Sequence, residues 1–196
     1  MKNMKKIIAF SFAVILLCLS FTACTKPAKD DSSMPEDTSG IAVNGVYDET
    51  LDATVTLGMT KADVDELLGE PLEAGKGTAT LQNFLYNNGL SVDFKDEVVY
   101  NMLVTEEAVQ CKISYDVTVG AELATLPEAF SQDLGANLGR VAYYDADNKP
   151  VTALLDAAFQ VMLRTDPETE KVTSIYIMSI ATNNAEDTEE PAEVEA

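Results

Sequence analysis

Apolar and polar residues alternate in three consecutive stretches of the first half of the chain, and this period of two predicts an antiparallel β-meander. The predicted strands are 80–86, 90–94 and 98–105. The segments between them, Asn87-Asn88-Gly89 and Lys95-Asp96-Glu97, have typical turn compositions. A second group of strands is predicted further along, at 140–144, 159–164 and 172–180. The segment 151–157 could form either a helical turn or a strand.

A short helix is predicted before each group of strands. Thr60 with Asp63 forms a T-x-x-D sequence, and Thr125 with Glu128 forms T-x-x-E, both typical of helix N-termini. The apolar residues that follow share one helical face, and a glycine ends each segment. These faces are Val64, Leu67 and Leu68 in the first helix, and Leu126, Ala129, Phe130 and Leu134 in the second.

The two groups of elements repeat one another. Val55-Thr56-Leu57-Gly58 corresponds to Val117-Thr118-Val119-Gly120, and each is followed by a helix start and then by a Leu-Gly pair. A series of matching segments that occurs twice in the same order predicts a tandem duplication, with repeats at 41–108 and 109–182. The expected fold is α+β: each repeat packs a short helical segment on an antiparallel meander, and the helices cover one sheet face while the other face stays open.

The N-terminus has the pattern of an export signal. Three lysines precede an uncharged apolar run, 7–23, which ends in small residues before Cys24; residues 1–23 are therefore predicted to be a signal peptide. The segment Phe21-Thr22-Ala23-Cys24 resembles the lipobox of bacterial lipoproteins, although that family usually has Leu where Phe21 stands. The resemblance implies palmitate-type acylation of Cys24 and a membrane-anchored protein on the outer face of the cytoplasmic membrane, or in an outer membrane. An uncleaved membrane helix or a secreted protein are the alternatives.

Polar composition marks both flanks of the predicted domain. Residues 24–40 are rich in Pro, Ser, Asp and Gly, which predicts a disordered tether, and 183–196 form an acidic tail that is predicted to be disordered.

Charge and missing residue types exclude several functions. The chain has 13 Lys and Arg against 33 Asp and Glu, a net charge of −20, which argues against nucleic-acid binding. It has no histidine, so imidazole-based triads and His-ligated metal sites are excluded, and no metal or other cofactor is expected. Cys18 leaves with the signal and Cys24 is acylated, so Cys111 is the remaining thiol. Its alternating sequence context predicts a buried strand residue.

A family resemblance rests on Leu57-Gly58-Met59-Thr60-Lys61, Leu67-Leu68-Gly69 and 89–94. These motifs resemble the small outer-membrane assembly lipoprotein family of the SmpA/OmlA type, and the doubled arrangement resembles the β-lactamase inhibitor protein architecture. The resemblance implies a non-catalytic cell-envelope protein that binds an envelope or secreted protein. A structural or assembly spacer is the alternative, and a carboxylate-based hydrolase a further one.

Candidate binding residues are the adjacent tyrosines Tyr143 and Tyr144. Neighbouring strand residues point to opposite sheet faces, so one of the pair is expected on the covered face and the other on the open face. Tyrosine on an open sheet is well suited to protein contacts. Ordinary strand propensity is the alternative explanation for this pair. The same two interpretations, binding or strand propensity, apply to Tyr86, Tyr100 and Tyr176.

Overall fold

The computed structural model describes residues 37–72, 77–135 and 138–180. The predicted signal peptide, most of the predicted tether and the predicted disordered tail lie outside the described residues. Within them the chain has the expected α+β composition, with one α-helix, α1 (Lys61–Leu68), and antiparallel strands in two sheets. The strands are β1 (Gly45–Asp48), β2 (Ala53–Thr56), β3 (Leu81–Leu85), β4 (Ser91–Lys95), β5 (Val98–Val104), β6 (Cys111–Ile113), β7 (Val117–Thr118), β8 (Gln132–Asp133), β9 (Gly139–Tyr144), β10 (Pro150–Val151), β11 (Phe159–Thr165) and β12 (Val172–Ser179).

The larger sheet has the order β10-β9-β11-β12-β5-β4-β3, with β8 also paired to β9. All six strands predicted from alternation occur in this sheet, within one or two residues of their expected ends. The ambiguous segment 151–157 is divided between β10 and a 3-10 turn, Leu154–Asp156. The meander prediction is therefore confirmed in both halves of the chain.

The smaller sheet, with the order β2-β1-β6-β7, has no counterpart in the predicted fold. Its buried residues form one continuous core with those of α1 and of the larger sheet. The expectation that helices alone cover the larger sheet is therefore wrong, since a second sheet provides much of the cover. Strands of two to four residues contain too few alternations to predict a sheet, although the alternation around Cys111 does predict the strand residue that lies in β6.

Helix α1 begins as its sequence predicts. The Thr60 side chain accepts a hydrogen bond from the Asp63 N–H, and the Asp63 carboxylate accepts one from the Thr60 N–H, which completes a capping box. Val64 and Leu68 are buried in the core. Leu67, which was expected beside them, is 37% exposed, because it lies at the margin of the buried face.

The second predicted helix is absent. Its place is taken by two 3-10 turns, Leu123–Thr125 and Glu128–Phe130, and Thr125 belongs to the first turn instead of capping a helix. Pro127 explains the difference, because a proline disfavours helical dihedrals in the residue before it, and Leu126 is extended with a ψ of 141°. Phe130 is nevertheless buried, so this segment contributes to the core without an α-helix.

Three backbone hydrogen bonds recur at matching places in the two halves. The Gly58 N–H donates to the Val99 carbonyl, and the Gly120 N–H donates to the Val172 carbonyl. The Val99 N–H in turn donates to the Met59 carbonyl, as the Val172 N–H does to the carbonyl of Ala121. The third pair joins Lys61 N–H to the Glu97 carbonyl, and Leu123 N–H to the Glu170 carbonyl.

Strands from the two halves pair at the centre of each sheet. In the larger sheet β5 pairs with β12, where Leu103 lies opposite Tyr176, and in the smaller sheet β1 pairs with β6. The two halves therefore share both sheets. Because each half completes the other's sheets, the described domain has one core.

Candidate interaction face

The larger sheet has a second face that points away from the core. Strand register assigns its residues, because directly paired residues of neighbouring strands lie on the same face. The two central rows of this open face are Tyr143, Gln160, Met178, Asn101, Asp93 and Asn83, followed by Val141, Met162, Tyr176, Leu103, Ser91 and Leu85. Ten of these side chains are half-buried and Asn83 is exposed, while Val141, which pairs with Gln132 of β8, is buried. The core-facing residues beside them, such as Val161 and Ile177, are fully buried.

The adjacent tyrosines point to opposite faces, as strand geometry requires. Tyr144 is 1% exposed and its ring stacks on Phe159, with the ring centroids 5.1 Å apart. Burial raises the pKa of the Tyr144 hydroxyl. Tyr143 is half-buried on the open face. Of the two candidate binding residues, the structure therefore leaves Tyr143 as the one available to a partner.

The other tyrosines have different environments. Tyr86 is fully buried, and its hydroxyl donates a 2.8 Å hydrogen bond to the Asp65 carboxylate, which ties the end of β3 to α1. Tyr100 occupies the irregularity between β4 and β5 and is half-buried. Tyr176 lies at the centre of the open face, where the Arg164 guanidinium lies 6.0 Å from its ring centroid.

The apolar centre of the open face combines aromatic, methionine and leucine side chains. Met162, Tyr176 and Leu103 follow one another across three neighbouring strands, and Met178 and Tyr143 lie in the adjacent row. Tyrosine and methionine are enriched in protein interfaces, where they supply large or adaptable contact area. Met162, Leu103 and Met178 are not among the candidate residues predicted from sequence. Their alternation with buried residues along β11, β5 and β12 is the signal that would have found them.

A small polar network borders this apolar centre. Asp93 accepts hydrogen bonds from the side-chain amides of Asn83 and Asn101, the latter at 2.6 Å. Asn83 also donates to the Ser91 hydroxyl at 2.7 Å. The network fixes the Asp93 carboxylate in place, so that the polar part of the face is held in one arrangement.

Acidic residues are scarce on this face although they dominate the chain. Asp93 is the one acidic residue in β3, β4, β5, β9, β10, β11 and β12 together. Many acids lie instead in the segments between these strands or directly after β5, and most of them are exposed. They include Asp96, Glu97, Glu106, Glu107, Asp145, Asp147, Asp156, Asp166, Glu168 and Glu170. Depletion of charge at the centre of a surface is a compositional mark of interface cores.

Both edges of the larger sheet are occupied. The outer side of β9 pairs with β8 and with β10, and β10 begins with Pro150, which has no backbone N–H to offer. On the opposite edge, the carbonyls of Leu81 and Leu85 in β3 accept hydrogen bonds from Thr78 and Leu72. A peptide therefore cannot readily add as a further strand, which leaves the open face as the accessible surface of this sheet.

Cys111 is buried in β6 with 1% exposure, as the sequence predicts. Burial, with a smaller effect from Asp48, raises the pKa of its thiol to about 12, so the thiol is protonated and unreactive at neutral pH. The Asn88 amide donates to the Asp48 carboxylate at 2.8 Å and lies 3.9 Å from the Cys111 sulfur. This cluster joins β1 and β6 to the turn after β3, which is a structural role.

Carboxylates near a small polar cleft are also engaged. Asp133 forms an ion pair with Arg140, with 2.8 Å between the charged atoms, at one side of the cleft. Asp166, at the other side, accepts hydrogen bonds from the N–H groups of Thr169 and Glu168, and these bonds lower its pKa. Among the described residues, no group of three or more Cys, Asp or Glu is arranged to hold a metal ion. No helix in that part of the chain has the length and apolar character needed to cross a membrane.

Comparison with models of known protein families found no match, and neither did comparison with curated proteins. Among solved structures, a cysteine-rich secretory protein from Staphylococcus aureus is 13% identical, with a TM-score of 0.42, over 64% of this chain and 44% of that one. An extracellular SCP-domain protein from Bacillus anthracis is also 13% identical, with a TM-score of 0.44, over 79% and 50% of the two chains. A DUF4309 family protein from Bacillus subtilis is 12% identical, with a TM-score of 0.29, over 74% and 86%. This chain thus spans about half the length of the first two, and similarity this low identifies neither family nor function.

Proposed function

We propose that this chain is a non-catalytic, membrane-anchored lipoprotein of a bacterial cell envelope that binds an envelope or secreted protein through the open face. The observation that carries the proposal is the contrast between this face and the rest of the chain. A chain with a net charge of −20 presents a sheet face with one acid and an apolar centre of tyrosine, methionine and leucine. A face that served only to contact water would tolerate charges at these outward positions.

The membrane anchor in this proposal is lipid on Cys24. Its support is the apolar run and small residues that precede this cysteine. The N-terminal end of the described region is attached to the domain, because the Tyr115 N–H donates to the Asp37 carboxylate and to the Ser39 hydroxyl. The described part of the proposed tether, from Asp37 onward, is thus bonded to the domain.

The proposed fold origin is a tandem duplication of one helix-plus-meander unit. The recurring hydrogen bonds around Gly58 and Gly120, and the pairing of the two halves at the centre of both sheets, support it. The relation to the SmpA/OmlA-type lipoproteins and to the β-lactamase inhibitor architecture remains part of this proposal, based on the short sequence motifs.

The state of the carboxylates favours binding over hydrolysis. A carboxyl group that acts as a general acid near neutral pH needs a raised pKa. The carboxyl groups with resolved shifts, Asp63 and Asp166, have lowered pKa values because hydrogen bonds stabilise their charged forms. Asp133, at the cleft, is paired with Arg140, with 2.8 Å between the charged atoms. A spacer remains the alternative, and it requires no partner at the open face.

The proposal is tested by site-specific photocrosslinking in intact cells of the host. A photoreactive phenylalanine analogue is placed at Tyr143 or Tyr176 on the open face, and at Leu67 on α1 as the control position. We expect a discrete crosslinked protein from the two open-face positions and none from position 67. If positions 143 and 176 give no crosslinked protein while the variants are present at normal levels, the spacer alternative replaces the binding function.

The anchor is tested separately. Cys24→Ala should abolish labelling with a palmitate analogue and release the chain from the membrane fraction. Retention in the membrane with an uncut N-terminus would favour the uncleaved-helix alternative.

A further inference from the structure

Several exposed acids lie in turns at the two ends of the larger sheet. At one end of the larger sheet, Asp96 and Glu97 form the turn between β4 and β5, and both are exposed. At the other end, the turn between β11 and β12 carries Glu168 and Glu170, which are also exposed. We call these four residues the acidic rim.

The four rim acids are exposed, so their charges can act on an approaching molecule. The ion pairs of Lys61, Lys112, Arg140 and Lys149 involve acids outside the rim, namely Asp65, Glu49, Asp116, Asp133 and Asp147. Exposed charges around an apolar centre chiefly change the rate of association and the choice of partner.

A second copy of this chain is a poor occupant of the open face. In a symmetric dimer the same surface patch is used by both subunits, so two acidic rims and two chains of charge −20 would face each other. Opposed like charges of this kind disfavour the wrong partner. A partner with an acidic surface is disfavoured for the same reason.

We propose that the partner's contact surface has an apolar centre surrounded by lysine and arginine side chains, an inference that rests on the proposed function. The acidic rim attracts these basic side chains. Such a surface complements both parts of the face: its apolar centre contacts Met162, Tyr176 and Met178, and its basic border lies near the rim turns. The acidic rim then acts on the association rate, and the apolar centre determines how long the complex lasts.

The test uses two synthetic peptides as probes. Both contain the same tyrosine- and leucine-rich centre; one is flanked by lysines and the other by glutamates. Their binding to the mature full-length chain is followed by amide chemical shifts, which locate the contact, and by surface plasmon resonance at low and high salt. We expect the lysine-flanked peptide to shift the amides of the open-face strands, and the glutamate-flanked peptide to bind at least roughly tenfold more weakly at low salt.

Charge-neutralising variants separate the rim from the overall charge. Asp96→Asn with Glu97→Gln removes two rim charges, while Glu66→Gln with Glu70→Gln removes two exposed charges at α1, on the core side of the sheet. We expect the rim variant to lower the association rate of the lysine-flanked peptide by roughly threefold or more at low salt, with little change in dissociation. The α1 variant should leave the association rate nearly unchanged.

The outcomes distinguish this inference from the proposed function. If both peptides bind the open face equally and the rim variant matches the α1 variant, the basic border is refuted while binding at the face stands. If the lysine-flanked peptide shifts amides in α1 or the smaller sheet and none in the open face, both proposals fail. An equal loss of rate in the two variants assigns the effect to net charge and also refutes a role for the rim.

Discussion

Replacing Tyr144 by phenylalanine is expected to stabilise the domain, although the side chain lies in the core. The Tyr144 ring is 1% exposed and stacks on Phe159, and its hydroxyl oxygen has no hydrogen-bond partner among the described residues. Phenylalanine keeps the ring and its stacking. The substitution thus removes a buried hydroxyl and little else.

The size of the effect follows from the burial of that hydroxyl. Burying a hydroxyl without a compensating hydrogen bond costs about 1–3 kcal/mol in proteins. Removing it opens only a small gap, which offsets part of this gain. We therefore expect Tyr144→Phe to raise the free energy of unfolding by about 1 kcal/mol, and Tyr144→Ala to lower it by about 3–5 kcal/mol because the ring is lost.

Tyr86 provides the matched control, because it is equally buried but its hydroxyl is satisfied. Tyr86→Phe removes the 2.8 Å hydrogen bond to Asp65 and should lower stability by about 1 kcal/mol. The two Tyr→Phe changes delete the same atom, so opposite signs isolate the effect of the hydrogen bond from that of volume.

Urea unfolding followed by circular dichroism measures both variants. A change of 1 kcal/mol in a domain of this size corresponds to a shift of about 2–4 °C in Tm, which thermal melts can resolve. A loss of stability in Tyr144→Phe as large as that in Tyr86→Phe would show that the Tyr144 hydroxyl is satisfied, for example by a buried water, and would refute the reasoning.

Three further predictions follow from single contacts. Gly139→Ala should lower stability by several kcal/mol in urea titrations, because a Cβ there would lie 1.8 Å from the Leu163 carbonyl oxygen and φ is +133°; near-normal stability would contradict this. Thr60→Ala should cost about 1 kcal/mol by loss of the cap, and an unchanged midpoint would show that the cap contributes nothing. The Cys111 thiol should resist a thiol reagent at pH 8 until the chain unfolds. Rapid labelling of the native protein would contradict this. Because burial raises the pKa of the thiol from 9.0 to about 12, the stability that the buried, protonated thiol contributes should be complete below pH 9 and be lost as the pH rises toward 12.

The long strands could be predicted from sequence because their pattern is local. Stretches such as 90–94 and 98–105 alternate for five residues or more between recognised turns, and the structure has β4 and β5 there. The Thr60 cap was likewise readable, since the capping box involves residues three apart. The T-x-x-E sequence at Thr125 predicted a helix that does not form. That motif takes no account of Pro127, which disfavours helical dihedrals at Leu126 and so prevents a helix from starting there.

The smaller sheet and the choice between the tyrosines depended on distant contacts. Strand β6 pairs with β1 across more than sixty residues, and three residues of alternation cannot indicate such a partner. Strand alternation showed that Tyr143 and Tyr144 point to opposite faces, but it did not show which face is covered. That depended on the larger sheet's inner face packing against β1, β2, β6 and β7.

The distribution of acids is a signal that the sequence contained but that composition concealed. Net charge alone describes an acidic surface, yet seven strands of the larger sheet, β3 to β5 and β9 to β12, contain Asp93 as their one acid, while the turns between them contain several. On a solvated antiparallel sheet, outward positions ordinarily accept charged residues. Placing amides, tyrosine and methionine at those positions, in a chain so rich in acids, keeps like charges away from the surface that we propose as the binding face. Counting charges by element, with strand alternation known, would therefore have pointed to the open face before any coordinates.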